Sequence, residues 1–267
     1  KMEEGVKLLG IQLSEKQLEQ FYDYFQFLVE KNKVMNLTAI TAPDKVAELH
    51  FYDCLALLNA ADFRGKRVID IGCGAGFPGV PLKIAESSME LTLLDSLGKR
   101  MDWLREVLPE LHVEANVVTA RAEEYVVNCR EGFDIAVSRA VARLNILAEL
   151  CLPYVKVGGV FLAMKGQLAD VELEEAKKGI ALLGGKVERV FEYEVSSAVH
   201  RAVVIRKETA TPPKYPAIRP STTPMAVDSR VAIIPTRREI RVAYKSRLNT
   251  SLPIASVPRK NSFDGAA

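Results

Sequence analysis

The reading of this chain turns on VIDIGCGAGFPGVPL (68–82). Val68, Ile69 and Ile71 form a short β-branched run. Gly72, Gly74 and Gly76 follow at alternate positions, and Pro81 suits the first turn of the apolar stretch after them. Strand, glycine turn and helix start, in that order, predict the opening unit of a parallel α/β sheet. Downstream, strands are predicted at 91–95, 113–119, 133–138 and 158–166, between helices at 78–87, 99–108, 121–129, 144–153 and 168–183. KVERVFEYEV (186–195) and HRAVVIRK (200–207) read as a terminal hairpin, which adds antiparallel pairing to a seven-stranded, mostly parallel sheet. Upstream the period is helical. Ser14 and Gln17 pair as a capping box ahead of Leu18, Phe21, Phe25, Leu28 and Val29, predicting a helix over 14–33. NLTAI (36–40) interrupts, and Pro43 opens a second helix reaching Asn59. The organisation is a helical extension (1–62), an α/β core (63–210) and a tail (211–267).

The 267 residues are 48% hydrophobic and 26% charged, which excludes a disordered chain, a collagen or a disulfide scaffold. No apolar run approaches the roughly 18–20 residues of a membrane span. Four scattered cysteines without a CxxC read as reduced, cytoplasmic thiols. The net charge of +2 conceals an uneven distribution. Residues 1–210 carry 26 Lys+Arg against 31 Asp+Glu, a net of −5, whereas 211–267 carry 10 against 3, a net of +7.

A doubly wound sheet binds its ligand at the carboxyl ends of its strands, so those ends hold the candidate residues. Gly72, Gly74 and Gly76 let a nucleoside approach the backbone closely, with Phe77 beside them. Gly74, Gly76 and Gly79 also satisfy GxGxxG, which leaves a dinucleotide reading open. Asp70 favours S-adenosylmethionine (SAM), because a carboxylate there repels a pyrophosphate and attracts an ammonium or sulfonium. Asp95, ending the second strand, is placed for ribose hydroxyls of either cofactor. Ala122 and Glu123 follow the third strand, where an adenine would rest, and Arg139 follows the fourth. His112 and His200 stand at strand starts and read as structural; His50, in HFYD (50–53), is the histidine considered for the site. There is no NPPY-type motif for exocyclic amine methylation, no Pro-Cys nucleophile for C5 methylation, and no HExxH or Cys/His spacing for a metal.

NLTAI (36–40), HFYD (50–53), VIDIGCGAGFPGVPL (68–82), LLDSLGKRMDWL (93–104), RAEE (121–124), VSRAVARL (137–144) and LAMKG (162–166) occur in this order. Together they closely resemble the bacterial glucose-inhibited division protein B family, from about residue 5 to Pro216. The resemblance implies a Rossmann-like class I SAM-dependent methyltransferase acting on guanine N7 in the 530 loop of 16S ribosomal RNA. It implies a cytoplasmic monomer working on the small-subunit RNA, with no membrane and no metal. SAM is then expected on Asp70, Gly72, Gly74, Gly76 and Phe77, its ribose on Asp95 and its adenine near Ala122 and Glu123. Arg139 of the SRA motif is expected beside the cofactor as the catalytic, positioning residue. For RNA, the candidates are His50, Lys99, Arg100, Lys165 and Arg201, with Arg139, Lys165 and Arg201 lining one face, and Lys214 in TPPKYP (211–216). Beyond Pro216 the chain departs from the family pattern, and its Pro/Ser/Thr/Arg-rich composition predicts poor order. A methyltransferase of another substrate, a nicotinamide-dependent oxidoreductase and a noncatalytic RNA-binding module are the alternatives at this point.

Overall fold

The computed structural model describes residues 6–166 and 169–217. Helix α1 spans Glu15–Met35, and its start follows the capping box, with Gln17 N donating to Ser14 Oγ at 3.3 Å and Ser14 N to Gln17 Oε1 at 2.8 Å. A composite helix α2 runs from Pro43 to Asn59. It is not a uniform α-helix, because Ala47–Tyr52 forms a π-helical stretch. There the N–H of Asp53 reaches Glu48 and His50, leaving the Leu49 carbonyl to accept from Arg139 at 3.3 Å. Side-chain insertion into the ladder is a recognised cause of such widening.

The core follows as β1 (Arg67–Ile71), α3 (Gly79–Ala85), β2 (Glu90–Asp95), α4 (Gly98–Glu110), β3 (Asn116–Thr119), α5 (Ala122–Tyr125), β4 (Phe133–Arg139), α6 (Leu144–Cys151), β5 (Val155–Lys165), α7 (Ala169–Leu182), β6 (Gly185–Val195) and β7 (Ala198–Lys207). They form one seven-stranded sheet in the order β3-β2-β1-β4-β5-β7-β6, with β7 antiparallel to both neighbours. The winding direction reverses between β1 and β4, which places the switch point beside the glycine turn.

Strand alternation divides the core into two layers. Val68, Leu93, Val137, Leu162 and Val204 pack with α1, α2, α3 and α4 on one face. Ile69, Leu94, Ala136, Ala163 and Val203 pack with α6 and α7 on the other. Phe21, Tyr24, Leu28 and Phe51 from the helical extension belong to the first layer, so the extension and the sheet share one core.

The segment after 210 does not leave the body at once. Arg130 donates to the carbonyls of Tyr215 (2.8 Å), Thr211 (2.9 Å) and Pro212 (3.0 Å), and Thr211 Oγ1 donates to Leu183 O at 2.7 Å. The boundary expected at 211 is thereby corrected, since the chain stays docked as far as Ala217, whose N–H donates to Glu149. The short elements expected in the tail at 231–235 and 238–248 lie outside the described residues.

Candidate functional site: the carboxyl rim of the sheet

The glycine turn after β1 is built for close approach. Gly72 has φ +72°, and a Cβ there would lie 2.3 Å from Val141 of the loop after β4. A Cβ on Gly74 would meet only Arg100 Nη1, at 3.7 Å, so this part of the turn is open. The Asp95 carboxylate secures the turn from β2, its Oδ2 accepting from Gly74 N at 3.0 Å, while Oδ1 accepts from Leu97 N in its own loop at 2.9 Å. Both oxygens keep a second lone pair for another donor. Leu97 and Val141 flank the turn as exposed apolar side chains, a feature the motif reading did not single out.

Gly76 serves packing instead. A Cβ there would lie 2.7 Å from the Tyr24 hydroxyl, which donates to the adjacent Ala75 carbonyl. Its missing side chain makes room for α1, a packing role beside the cofactor role expected of it. Phe77 is likewise only 6% exposed. Its ring stacks on Tyr24 (5.5 Å) and His50 (4.8 Å) and carries the Arg139 guanidinium at 4.9 Å. Its side chain therefore supports Arg139 rather than offering a face to a cofactor.

Asp70 shares the face of Val68, beneath α3, and is fully buried. Oδ2 accepts from Gly79 N at 2.7 Å, at the start of α3, while Oδ1 has no partner. Burial pushes its pKa up to about 7, against the opposing pull of the Gly79 N–H and of Arg139. After β3, Glu123 is buried and takes Arg121 Nε at 2.7 Å, and the Ala122 carbonyl accepts from Tyr154 at 2.6 Å.

The other half of the rim is a network. Arg139 lies on the face of Val137, toward the helical extension. Its Nη1 donates to Asp53 Oδ2 at 3.2 Å, and its Nη2 lies 3.4 Å from His50 Nδ1. Tyr193 and His200, on the same face, donate to Asp53 Oδ1 at 3.0 and 2.8 Å. His200, read as structural from its place near a strand start, thus joins the network around Asp53. The hydrogen bond to Asp53 raises its pKa against burial. His50 behaves oppositely, burial and then the Arg139 charge lowering its pKa to about 4, so it is neutral at physiological pH. Its Nε2 lies 2.8 Å from Thr38 Oγ1 of NLTAI. Asp53, which the motif reading did not single out, is the hub of this network. The available signal was its spacing from His50, which puts the two on neighbouring positions of one helix.

The expected cationic face is divided by the sheet. Lys165 and Arg201 are paired in register, two residues beyond Ala163 and two before Val203, and so lie on the face opposite Arg139. Lys165 is nearly buried, at 2.8 Å from Glu172. Arg201 is engaged by Glu192 at 2.7 Å and Asp170 at 3.5 Å. Lys214 lies over the Tyr215 ring in the segment held by Arg130, ahead of β4. That is the amino end of the sheet, which removes Lys214 from the rim. Among the described residues no ion pair holds Lys99 or Arg100, which open α4 beside the glycine turn. Trp103 is buried in the first layer.

A sheet of this order, with a glycine turn and a carboxylate at its switch point, is that of a class I SAM-dependent methyltransferase, and SAM is its cofactor. Residues 17–202 match the family described as rRNA small subunit methyltransferase G, and the chain belongs to that family. It is 48% identical over 219 residues to the Ribosomal RNA small subunit methyltransferase G of Oceanobacillus iheyensis, covering 79% of this chain and 92% of that one. It is 45% identical over 215 residues to the protein of that name from Clostridium tetani, covering 78% and 90%. Among solved structures, a mutant of MtNAS shares the fold, with a TM-score of 0.51 and 20% identity over 69% of this chain and 71% of that one. Among the described residues no helix is long and apolar enough to cross a membrane.

Proposed function

We propose that this protein transfers the methyl group of SAM to N7 of a guanine in the 530 loop of 16S ribosomal RNA. It acts as a monomer in the bacterial cytoplasm, on the small-subunit RNA. The observation that carries the cofactor half is the pair of carboxylates around an open glycine turn. Asp70 has a buried oxygen without a hydrogen-bond partner, and Asp95 holds the turn while keeping lone pairs to spare. That set of acceptors suits a cationic nucleoside with ribose hydroxyls and opposes a pyrophosphate. Gly72 and Gly74 would admit the cofactor to the backbone, Asp95 would take the ribose hydroxyls, and Ala122 and Glu123 would border the adenine.

When bound, SAM supplies an electrophilic methyl group on a sulfonium. Guanine N7 is an unprotonated lone pair, so the protein needs no general base. Its task is to align nucleophile and methyl and to exclude water. Arg139 is the residue assigned to hold the base or its phosphate. Its Nε–H makes no hydrogen bond among the described residues, and its side chain is 17% exposed. Lys99 and Arg100 are the cations placed to meet phosphates beside the turn. Tritium transfer from labelled SAM to small subunits lacking the modification, followed by nucleoside digestion, tests the reading. Label in N7-methylguanosine is the expected result, and label in any other nucleoside rejects it.

A further inference from the structure

Asp53 sits 6% exposed at the junction of three chain segments that the motif reading treats separately: HFYD in α2, SRA at the end of β4, and the β6–β7 hairpin. A buried carboxylate is tolerated only where donors compensate its lost hydration. Here there are three, Arg139 on Oδ2 and Tyr193 and His200 on Oδ1. No two of them come from the same strand, and all three lie on the face covered by the helical extension.

The consequence falls on Arg139. An arginine side chain has high rotamer freedom, and a guanidinium used for alignment must be confined to one geometry. Asp53 and Leu49 O hold Nη1, His50 lies against Nη2, and the Phe77 ring lies beneath the plane. Of these only Asp53 carries the opposite charge, so it supplies the strongest restraint. Tyr193 and His200 have no hydrogen bond to Arg139, and their hydrogen-bonded link to it is that shared carboxylate.

We propose that Asp53 is the positioning residue of the methyl-transfer site, its carboxylate fixing the Arg139 guanidinium against Phe77 while Tyr193 and His200 fix the carboxylate. The inference rests on the reading that Arg139 faces the substrate. It also gives the hairpin a part in the site, because the antiparallel strand delivers His200 to the same oxygen as Tyr193.

The test uses the full chain, labelled SAM and unmodified small subunits, with SAM affinity measured separately by calorimetry. Asp53→Asn is expected to lower kcat about ten- to 100-fold, the range for losing a charge-assisted hydrogen bond, with SAM Kd changed less than about threefold. Because Asp53 acts through Arg139, adding Asp53→Asn to Arg139→Ala is expected to cost nothing more, within about twofold. Tyr193→Phe and His200→Gln, which keep the carboxylate, are each expected to lower kcat about threefold at unchanged SAM Kd, and they decide the matter if Asp53→Asn does not fold. Turnover at the wild-type rate in Asp53→Asn, or in both milder variants, would overturn the inference. So would losses that multiply in the double variant. Failure of the wild-type protein to place label in N7-methylguanosine is a separate outcome, which would overturn the substrate reading and this inference with it.

Discussion

At the ends of β1, β2 and β3 the rim is made of backbone and short side chains. Gly74 is open, Asp95 holds the turn by the Gly74 N–H, and Leu97 stands exposed beside it. At the ends of β4, β5 and β7 the rim is made of long charged side chains, each held by another: Arg139 by Asp53, Lys165 by Glu172, Arg201 by Glu192. The first half is shaped to receive a ligand and keeps lone pairs for it. The second half is organised internally and presents little beyond what its own network leaves over. A cation at a strand end is therefore a poor guide to a free charge, and positive φ alone does not mark an approachable glycine, since Gly72, Gly74 and Gly76 all have it and only Gly74 is open.

The comparison breaks most severely at Arg139→Ala. Removing the guanidinium leaves the Asp53 carboxylate without its main counter-charge, so methyl transfer should fall by about 100- to 1000-fold, to a rate still measurable with labelled SAM, and stability should fall by about 3–5 kcal/mol in denaturant unfolding. An unchanged midpoint would show that the second half is not an interlocked network. On the ligand side, Gly72→Ala should strain the backbone by about 1–3 kcal/mol and displace Val141. Calorimetry should then find SAM binding weakened by at least about tenfold, and wild-type affinity would mean that the turn is not the cofactor seat.

Asp70 sharpens the contrast by pH. Its folded pKa, raised to about 7, means that its neutral form stabilises the fold below the usual carboxylate range, and this contribution is lost as pH rises through about 7. A cationic ligand favours the ionised form, so SAM affinity should climb by up to about tenfold per pH unit below 7 and level off above it. Asp70→Asn should flatten that profile, and a profile identical to wild type would place the cation away from Asp70. The smallest effect separates the two ends of the sheet. Arg100→Ala should reduce the slope of log affinity for RNA against log salt by about one, and Lys214→Ala should leave it unchanged. The reverse pattern would move the RNA to the amino end.

Much of this site was legible beforehand because it is written in local terms. Ser14 with Gln17 marks a helix start, β-branched runs mark strands, and alternate glycines mark a turn that must open at the end of β1. These depend on neighbours within a few residues. The packing of Gly76 and Phe77 was not legible for the complementary reason. Whether a gap in the side chains receives a ligand or a tyrosine from 52 residues earlier depends on how α1 packs, and here Tyr24 takes the space. Asp53 was missed because its partners come from β4, β6 and β7, up to 147 positions away in sequence.

The order of elements and the glycine turn that closes β1 follow from the sequence by itself, since backbone geometry and hydrophobic period are local properties, whereas the switch point between β1 and β4 came from the strand order. Strand parity even contained the separation of Arg139 from Lys165 and Arg201, because alternate residues must take opposite faces. Only the tertiary structure decided which helix covers each face, and therefore which carboxylate each cation meets. A charge in a low-dielectric setting settles on the nearest opposite charge, and nearness is set by packing rather than by position in the chain.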